Sequence, residues 1–380
     1  MENLAAWLRR LPSMKDPKNV RRMTLRMFVP GHCVMDFDNW LFTTEQPTSV
    51  PAGFRAAFPE SMALLAYLEA ADYADNAHHN CRLAIDIATA MSLALERRID
   101  LPFEVALTVS GSKTVTFMPY SAIVDRIVTA PLPPDPKSPI VQVLQQLGGL
   151  ADKDISISGA AASMFHGALL LHDRDIRATY TLLIAGIETL SRQYGQPPTS
   201  WSDWENSTQW DTFAADVSLS EDQSAALRNR LMADQQLRLK ATFQSYAATR
   251  LSPSFWGQAW NEYMYELQVP EGSWGQGAQL YSGKVRDFLT SDRSELSRGL
   301  ARSYDLRSSY VHRGEWSDPF DLTLDPRASV DMRRPLPFAI LRAILRELIV
   351  TEMANRARPY AVPDVILRRV WQPSSGETQG

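Results

Sequence analysis

The sequence predicts a mainly α protein in two domains: a smaller α/β or α+β domain, then a helical bundle. Three observations carry that expectation. At 380 residues the chain exceeds the roughly 100–200 residues typical of one domain. The segment TAPLPPDPKSP, residues 129–139, holds Pro131, Pro133, Pro134, Pro136 and Pro139, each of which removes a backbone donor and fixes φ. After it, apolar residues recur at helical spacing almost to the C-terminus. The expected division is therefore residues 1–140, residues 150–360, and a frayed tail over 370–380.

In the first part, MTLRMFVPGHCVMDFDNWLF carries short β-prone runs, and FEVALTVSGSKTVTFMPY alternates around Gly111-Ser112 as a hairpin does. Between them, residues 59–99 read as one or two helices, with Leu83, Ile87, Met91 and Leu95 at helical spacing. In the second part, AAASMFHGALLLHD and DIRATYTLLIAGIETLSRQYG are helical, the latter stopping at Gly195. SEDQSAALRNRLMADQQLRLKATFQSYAATRL opens on a Ser220 capping signature, and two further helical stretches end near His312 and near residue 357. Long gaps separate these helices, and Trp201, Trp204, Trp210, Trp256, Trp260, Trp274 and Trp316 gather in or near them. Anchoring of the loops against the bundle is the expected role of these rings, ahead of base stacking.

A net charge of -4 excludes a protein that coats nucleic acid through its overall field, but not a local basic cleft. Such a cleft has a candidate between Lys284 and Arg313, where seven Lys and Arg stand against four Asp and Glu. The same run also fits a solvated helix face. Two cysteines, Cys33 and Cys81, make a disulfide framework implausible, and MENLAAWLRRLPSMKD lacks the features of a secretory leader. With no stretch approaching the roughly 20 apolar residues of a membrane span, a cytoplasmic protein is expected.

The stretch with the most chemistry is RSSYVHRG, residues 307–314. Leu296, Leu300, Tyr304, Arg307 and Val311 follow steps of four, four, three and four, which puts Arg307 on an apolar stripe. A charge there is costly unless it is paired or faces a polar cleft. His312 comes next, and Gly314 is a plausible helix terminator. Five residues advance an ideal helix by about 500°, so Arg307 and His312 diverge by about 140° unless the helix frays before Gly314. Two readings stay open: a functional Arg/His pair, or an ion-paired arginine and a helix-terminal histidine.

Taken with its context, the chain resembles the HEPN superfamily, specifically the ApeA-like branch. The resemblance rests on the order of helices after residue 155, on TLLIAGIETLSRQYG, LKATFQSYAATRL and ARSYDLRSSYVHRGE, and on the closing LRAILRELIVTEMA. It covers roughly the C-terminal 60% of the chain. Its hallmark is an Arg, four to six residues, then a His, matched by Arg307, Ser308 and His312. The resemblance implies a metal-independent endoribonuclease, without cofactor, whose two motif copies meet across a homodimer interface to cut RNA, including tRNA, in bacterial defence or as a toxin. Arg307 and His312 are the catalytic residues so implied, with Ser308 and Glu188 in support and Arg302 and Arg313 as substrate contacts. In related bundles an acidic or polar residue on the second helix lies near the motif, hence Glu188. An unidentified trigger acting through the N-terminal domain is expected, and no membrane. The rival reading is a non-catalytic RNA- or protein-binding module.

Weaker candidates are His32-Cys33 with His78-His79-Asn80-Cys81, which match no standard zinc spacing, and GSWGQG, residues 272–277, which lacks the ending of a phosphate-binding loop. His166 and His172 have no adjacent nucleophile motif.

Overall fold

The computed structural model describes residues 1–10, 20–28, 42–45, 62–70, 77–96, 98–99, 137–172, 175–265, 278–316 and 334–362. Among these the chain is mainly helical. Outside the described residues lie the expected hairpin over 103–120, His32, Cys33, Trp274, the GSWGQG segment and the tail over 370–380.

Two compact units make up the fold. One comprises Met1–Asp175, Trp260–Ser282 and Glu352–Gly380, and the other Ile176–Ala259 with Gly283–Thr351. Residues 150–175, placed by sequence in the C-terminal bundle, thus belong to the first unit. The proline-rich segment runs into a helix, Lys137–Gly149, with Pro139 in its opening turn. An N–H has no intrahelical partner there in any case, so proline starts the helix instead of breaking it.

In the first unit, α1 (Glu2–Arg10) packs against α2 (Ala77–Leu95), α3 (Lys137–Gly149) and α4 (Asp152–Leu171). Leu4, Ala5 and Leu8 are its buried face. Asp86 of α2 accepts the N–H groups of Asn3 at 2.8 Å and Leu4 at 3.2 Å and pairs with the Met1 ammonium at 2.8 Å. The free donors of the α1 N-terminus are thereby met by another helix. Close approach is built in at Gly149, where an added Cβ would lie 2.0 Å from the Arg358 carbonyl oxygen. By length and composition α4 is apolar enough to cross a membrane, which the sequence reading did not register, but half of that stretch is buried within the fold. Ile155, Phe165 and Leu169 are among its core residues, as in a helix at the centre of a packed unit.

β1 (Val20–Phe28), β2 (Phe42–Glu45) and β3 (Met62–Ala70) form a three-stranded antiparallel sheet in the order β1-β3-β2. Register runs from Val20 opposite Ala70 to Phe28 opposite Met62. This corrects the helical reading of residues 62–70. MALLAYLEA favours helix by intrinsic propensity, but a short apolar run has no decisive period, and pairing on both edges settles it as a strand. β4 (Ala259–Tyr265) and β5 (Ala278–Lys284) pair as a two-stranded sheet.

In the second unit, α5 (Ile176–Tyr194) turns Tyr180, Leu183, Ile184, Ile187 and Leu190 into the core. Gly195 follows its last residue as expected, donating its N–H to the Ser191 carbonyl at 2.8 Å. The stretch read as continuous from Ser220 is two helices, α6 (Ser207–Asp216) being followed by α7 (Glu221–Ala233) and α8 (Leu239–Arg250). The break is at Asp234, whose backbone is extended. Ser220 makes the expected reciprocal cap, accepting the Gln223 N–H while its own N–H donates to Gln223 Oε1. Trp204 is 2% exposed in a cluster with Leu231 and Ala241, and the Trp201 indole N–H donates to Asp211. Those rings do anchor the segment between α5 and α8, as expected. A single helical turn, α9 (Val285–Phe288), precedes α10 (Arg293–Arg313), and α11 (Phe338–Arg356) is the last helix among the described residues.

Candidate active site

α10 is defined at both ends. The Asp292 carboxylate accepts the N–H groups of Ser294 at 2.7 Å and Glu295 at 3.2 Å. Gly314, with φ 70° and ψ 9°, ends the helix in the left-handed region, and its N–H donates to the Tyr310 carbonyl at 3.0 Å. No fraying precedes it, because the helix continues through His312 to Arg313.

The buried stripe of α10 is Leu296, Gly299, Leu300, Ser303 and Leu306. Val311, read from sequence as part of the stripe, is instead 49% exposed. A polar residue stands at the centre of the observed stripe: the Ser303 hydroxyl donates to the Gly299 carbonyl at 2.9 Å and accepts the Leu336 N–H at 2.8 Å. The Leu336 carbonyl in turn accepts the Tyr180 hydroxyl at 3.0 Å. A satisfied serine thus stands where the pattern asks for an apolar residue.

Arg307 lies within this rotated stripe, its side chain 21% exposed. Its partner is Glu188 on α5, with Arg307 Nη2 3.5 Å from Oε2 of a carboxylate only 7% exposed. The other oxygen of Glu188 holds Arg192 Nη2 at 2.5 Å, in an i,i+4 pair on the same helix. Arg307 Nε is buried without a hydrogen-bond partner among the described residues. Beside them Tyr304, packed on Phe243 with ring centroids 5.3 Å apart, has its phenol pushed above the usual range. Burial is the main cause and the Glu188 carboxylate the next, with Arg307 and Arg192 opposing. Next to Tyr304 in sequence, Asp305 pairs with Lys240 of α8 at 2.7 Å.

The other expected residues are arranged differently. His312 is exposed, five residues beyond Arg307 on a regular helix and so about 140° round it and about 7.5 Å further along. Ser308 is half-buried and Arg302 exposed. Arg313 is exposed, donating to Ser309 Oγ at 2.7 Å and pairing with Glu315 at 3.2 Å. The structure therefore joins Arg307 to Glu188 and does not bring His312 to either of them within one chain. Arg192 was missed by sequence reasoning, although its place four residues after Glu188 on one helix was the signal that finds it. Among the described residues no group of three His, Cys, Asp or Glu side chains is placed to hold a metal ion.

No protein-family model matches the chain, and comparisons with curated proteins and with solved structures return no match.

Proposed function

We propose that this chain is a HEPN-type, metal-independent endoribonuclease that cuts RNA, with tRNA among its candidate substrates, as a homodimer in the cytoplasm. The observation that carries the reading is Arg307: a guanidinium on the inner stripe of α10, braced by a buried carboxylate, on a helix whose capped end presents an exposed histidine. Arg307 offers a planar, cationic fork to phosphate oxygens. His312 supplies an imidazole, the side chain most often used to take or give a proton in catalysis.

In the reaction the 2'-oxygen of a ribose attacks the adjacent phosphorus. A histidine takes the 2'-OH proton, and the P–O5' bond breaks as a second histidine protonates the leaving oxygen, giving a 2',3'-cyclic phosphate and a 5'-OH. One chain supplies one motif histidine, pointing away from its own Arg307, so a base and an acid on one phosphate require two copies. Ser308 supports the phosphate contact, and Arg302 and Arg313 extend it along the strand. A defence or toxin role, held off by a regulator acting through the N-terminal region, follows the family resemblance.

The test is cleavage of total RNA and tRNA in EDTA by wild type, Arg307→Ala and His312→Ala, with analysis of product ends and of mass in solution. Wild-type cleavage with cyclic phosphate ends, lost in both variants while dimers persist, is the expected result; cleavage by the variants moves the active site elsewhere. A second reading, a non-catalytic binding module, is favoured by one observation. Both oxygens of Glu188 are engaged by arginines, as in a structural ion-pair network. That reading predicts RNA binding without cleavage by any of the three proteins.

A further inference from the structure

Glu188 holds more positive charge than it needs. One guanidinium neutralises a buried carboxylate; this one carries two, Arg192 on Oε1 at 2.5 Å and Arg307 on Oε2 at 3.5 Å, which leaves one net positive charge. The three side chains are graded in exposure, 7% for Glu188, 21% for Arg307 and 47% for Arg192. The carboxylate is thus enclosed while the surplus cation faces water. Two like charges held on one anchor repel, and a further anion bridging them relieves that repulsion. Arg192 has donors beyond the Nη2 it gives to Glu188, and a guanidinium fork fits two oxygens of one phosphate. The Tyr304 phenol, which feels all three charged groups, adds an uncharged hydroxyl beside them.

We propose that Arg192 and Arg307, held on opposite oxygens of Glu188, form a clamp for a backbone phosphate of the RNA substrate, with Arg192 as a substrate-binding residue and Glu188 as its positioning residue. This rests on the nuclease reading for the identity of the ligand, and it adds a substrate contact from α5 to proposed contacts that otherwise come from α10. Because Arg192 is the exposed member, it engages the strand first and sets affinity, while Arg307 stays fixed on the helix stripe.

The experiment measures binding of a fluorescent 2'-O-methyl RNA oligonucleotide, which has the phosphates but no 2'-OH to react, across a range of salt. It compares the full-length wild type, Arg192→Ala, Arg192→Lys and the control Arg230→Ala, a substitution at an exposed residue of α7. The expected result for Arg192→Ala is weakening of about three- to tenfold, with the slope of log K against log salt reduced by about 0.7, the value for one phosphate contact on a single strand. Arg192→Lys keeps the charge, so it retains the slope and loses about two- to threefold in affinity with the fork; it carries the test if the alanine variant does not fold. Binding by Arg192→Ala equal to that of Arg230→Ala overturns the clamp, as does displacement of the oligonucleotide by equimolar inorganic phosphate. Failure of the nuclease reading looks different: wild type cuts no RNA, yet the salt slopes still separate the Arg192 variants from the control.

Discussion

Replacing Glu188 and its two arginines, singly and in pairs, ranks the two ion pairs by burial and not by length. The contact to Arg192 is shorter, 2.5 Å against 3.5 Å for Arg307. With an effective dielectric of about 20 the gross attractions are about 7 and about 5 kcal/mol, which by itself favours Arg192. Exposure reverses the order. Arg192 is 47% exposed, so water screens most of its attraction and an i,i+4 pair of this kind retains about 0.5 kcal/mol. Arg307 is 21% exposed against the same buried carboxylate, and after desolvation its coupling remains about 1.5 kcal/mol. Two double-mutant cycles in urea denaturation measure this, one with Glu188→Gln and Arg307→Met, the other with Glu188→Gln and Arg192→Met. A coupling to Arg192 equal to or larger than that to Arg307 refutes the argument, and with it the view that Arg307 is the fixed member of the site.

Three further outcomes follow from the fold. His166 of α4 is buried, its Nδ1 2.8 Å from Ser92 Oγ, and burial, aided by the Arg98 charge, lowers its pKa to about 4. The unfolded chain therefore takes up a proton as pH falls below about 6.5 while the folded chain does not. Stability is complete above that pH and lost progressively down to about 4, by about 2 kcal/mol at pH 5 in urea titrations, and His166→Gln removes that slope. Gly314→Ala forces a side chain into a left-handed backbone and lowers stability by about 1 kcal/mol, with a matching drop in Tm. Gly149→Ala costs more, because its Cβ would meet a backbone oxygen that is not free to rotate away; equal melting temperatures for the two variants would contradict that comparison.

Local chemistry was legible before any coordinates. Ser220, Gly195 and Gly314 each mark a helix end through a property of the residue itself, a hydroxyl acceptor or a missing Cβ, and each stands where the sequence places it. Glu188 enters through the resemblance alone, and the structure pairs it with Arg307. What escaped depended on distant partners. Residues 62–70 became a strand because neighbours on both sides pair with it, which no local pattern encodes. The apolar spacing points to Val311 and passes over Ser303, whose hydroxyl is satisfied at the centre of the stripe by the Gly299 carbonyl and by the Leu336 amide, 33 residues away. The grouping of residues 150–175 with the N-terminal unit is likewise a matter of which faces meet, and a proline cluster cannot report it.

The regularity of α10 from its aspartate cap to its glycine stop makes the angle between Arg307 and His312 a matter of whole residues. Each residue turns the helix by about 100°, so the angle cannot be tuned by degrees; it moves only in steps. Losing one residue from the intervening four would swing the imidazole to within about 40° of the arginine and bring both groups to one face of the helix. Adding one would place them about 120° apart on the other side. Substitution within the four spacer residues leaves that angle unchanged, whereas an insertion or deletion there changes which face of α10 carries the imidazole relative to the guanidinium.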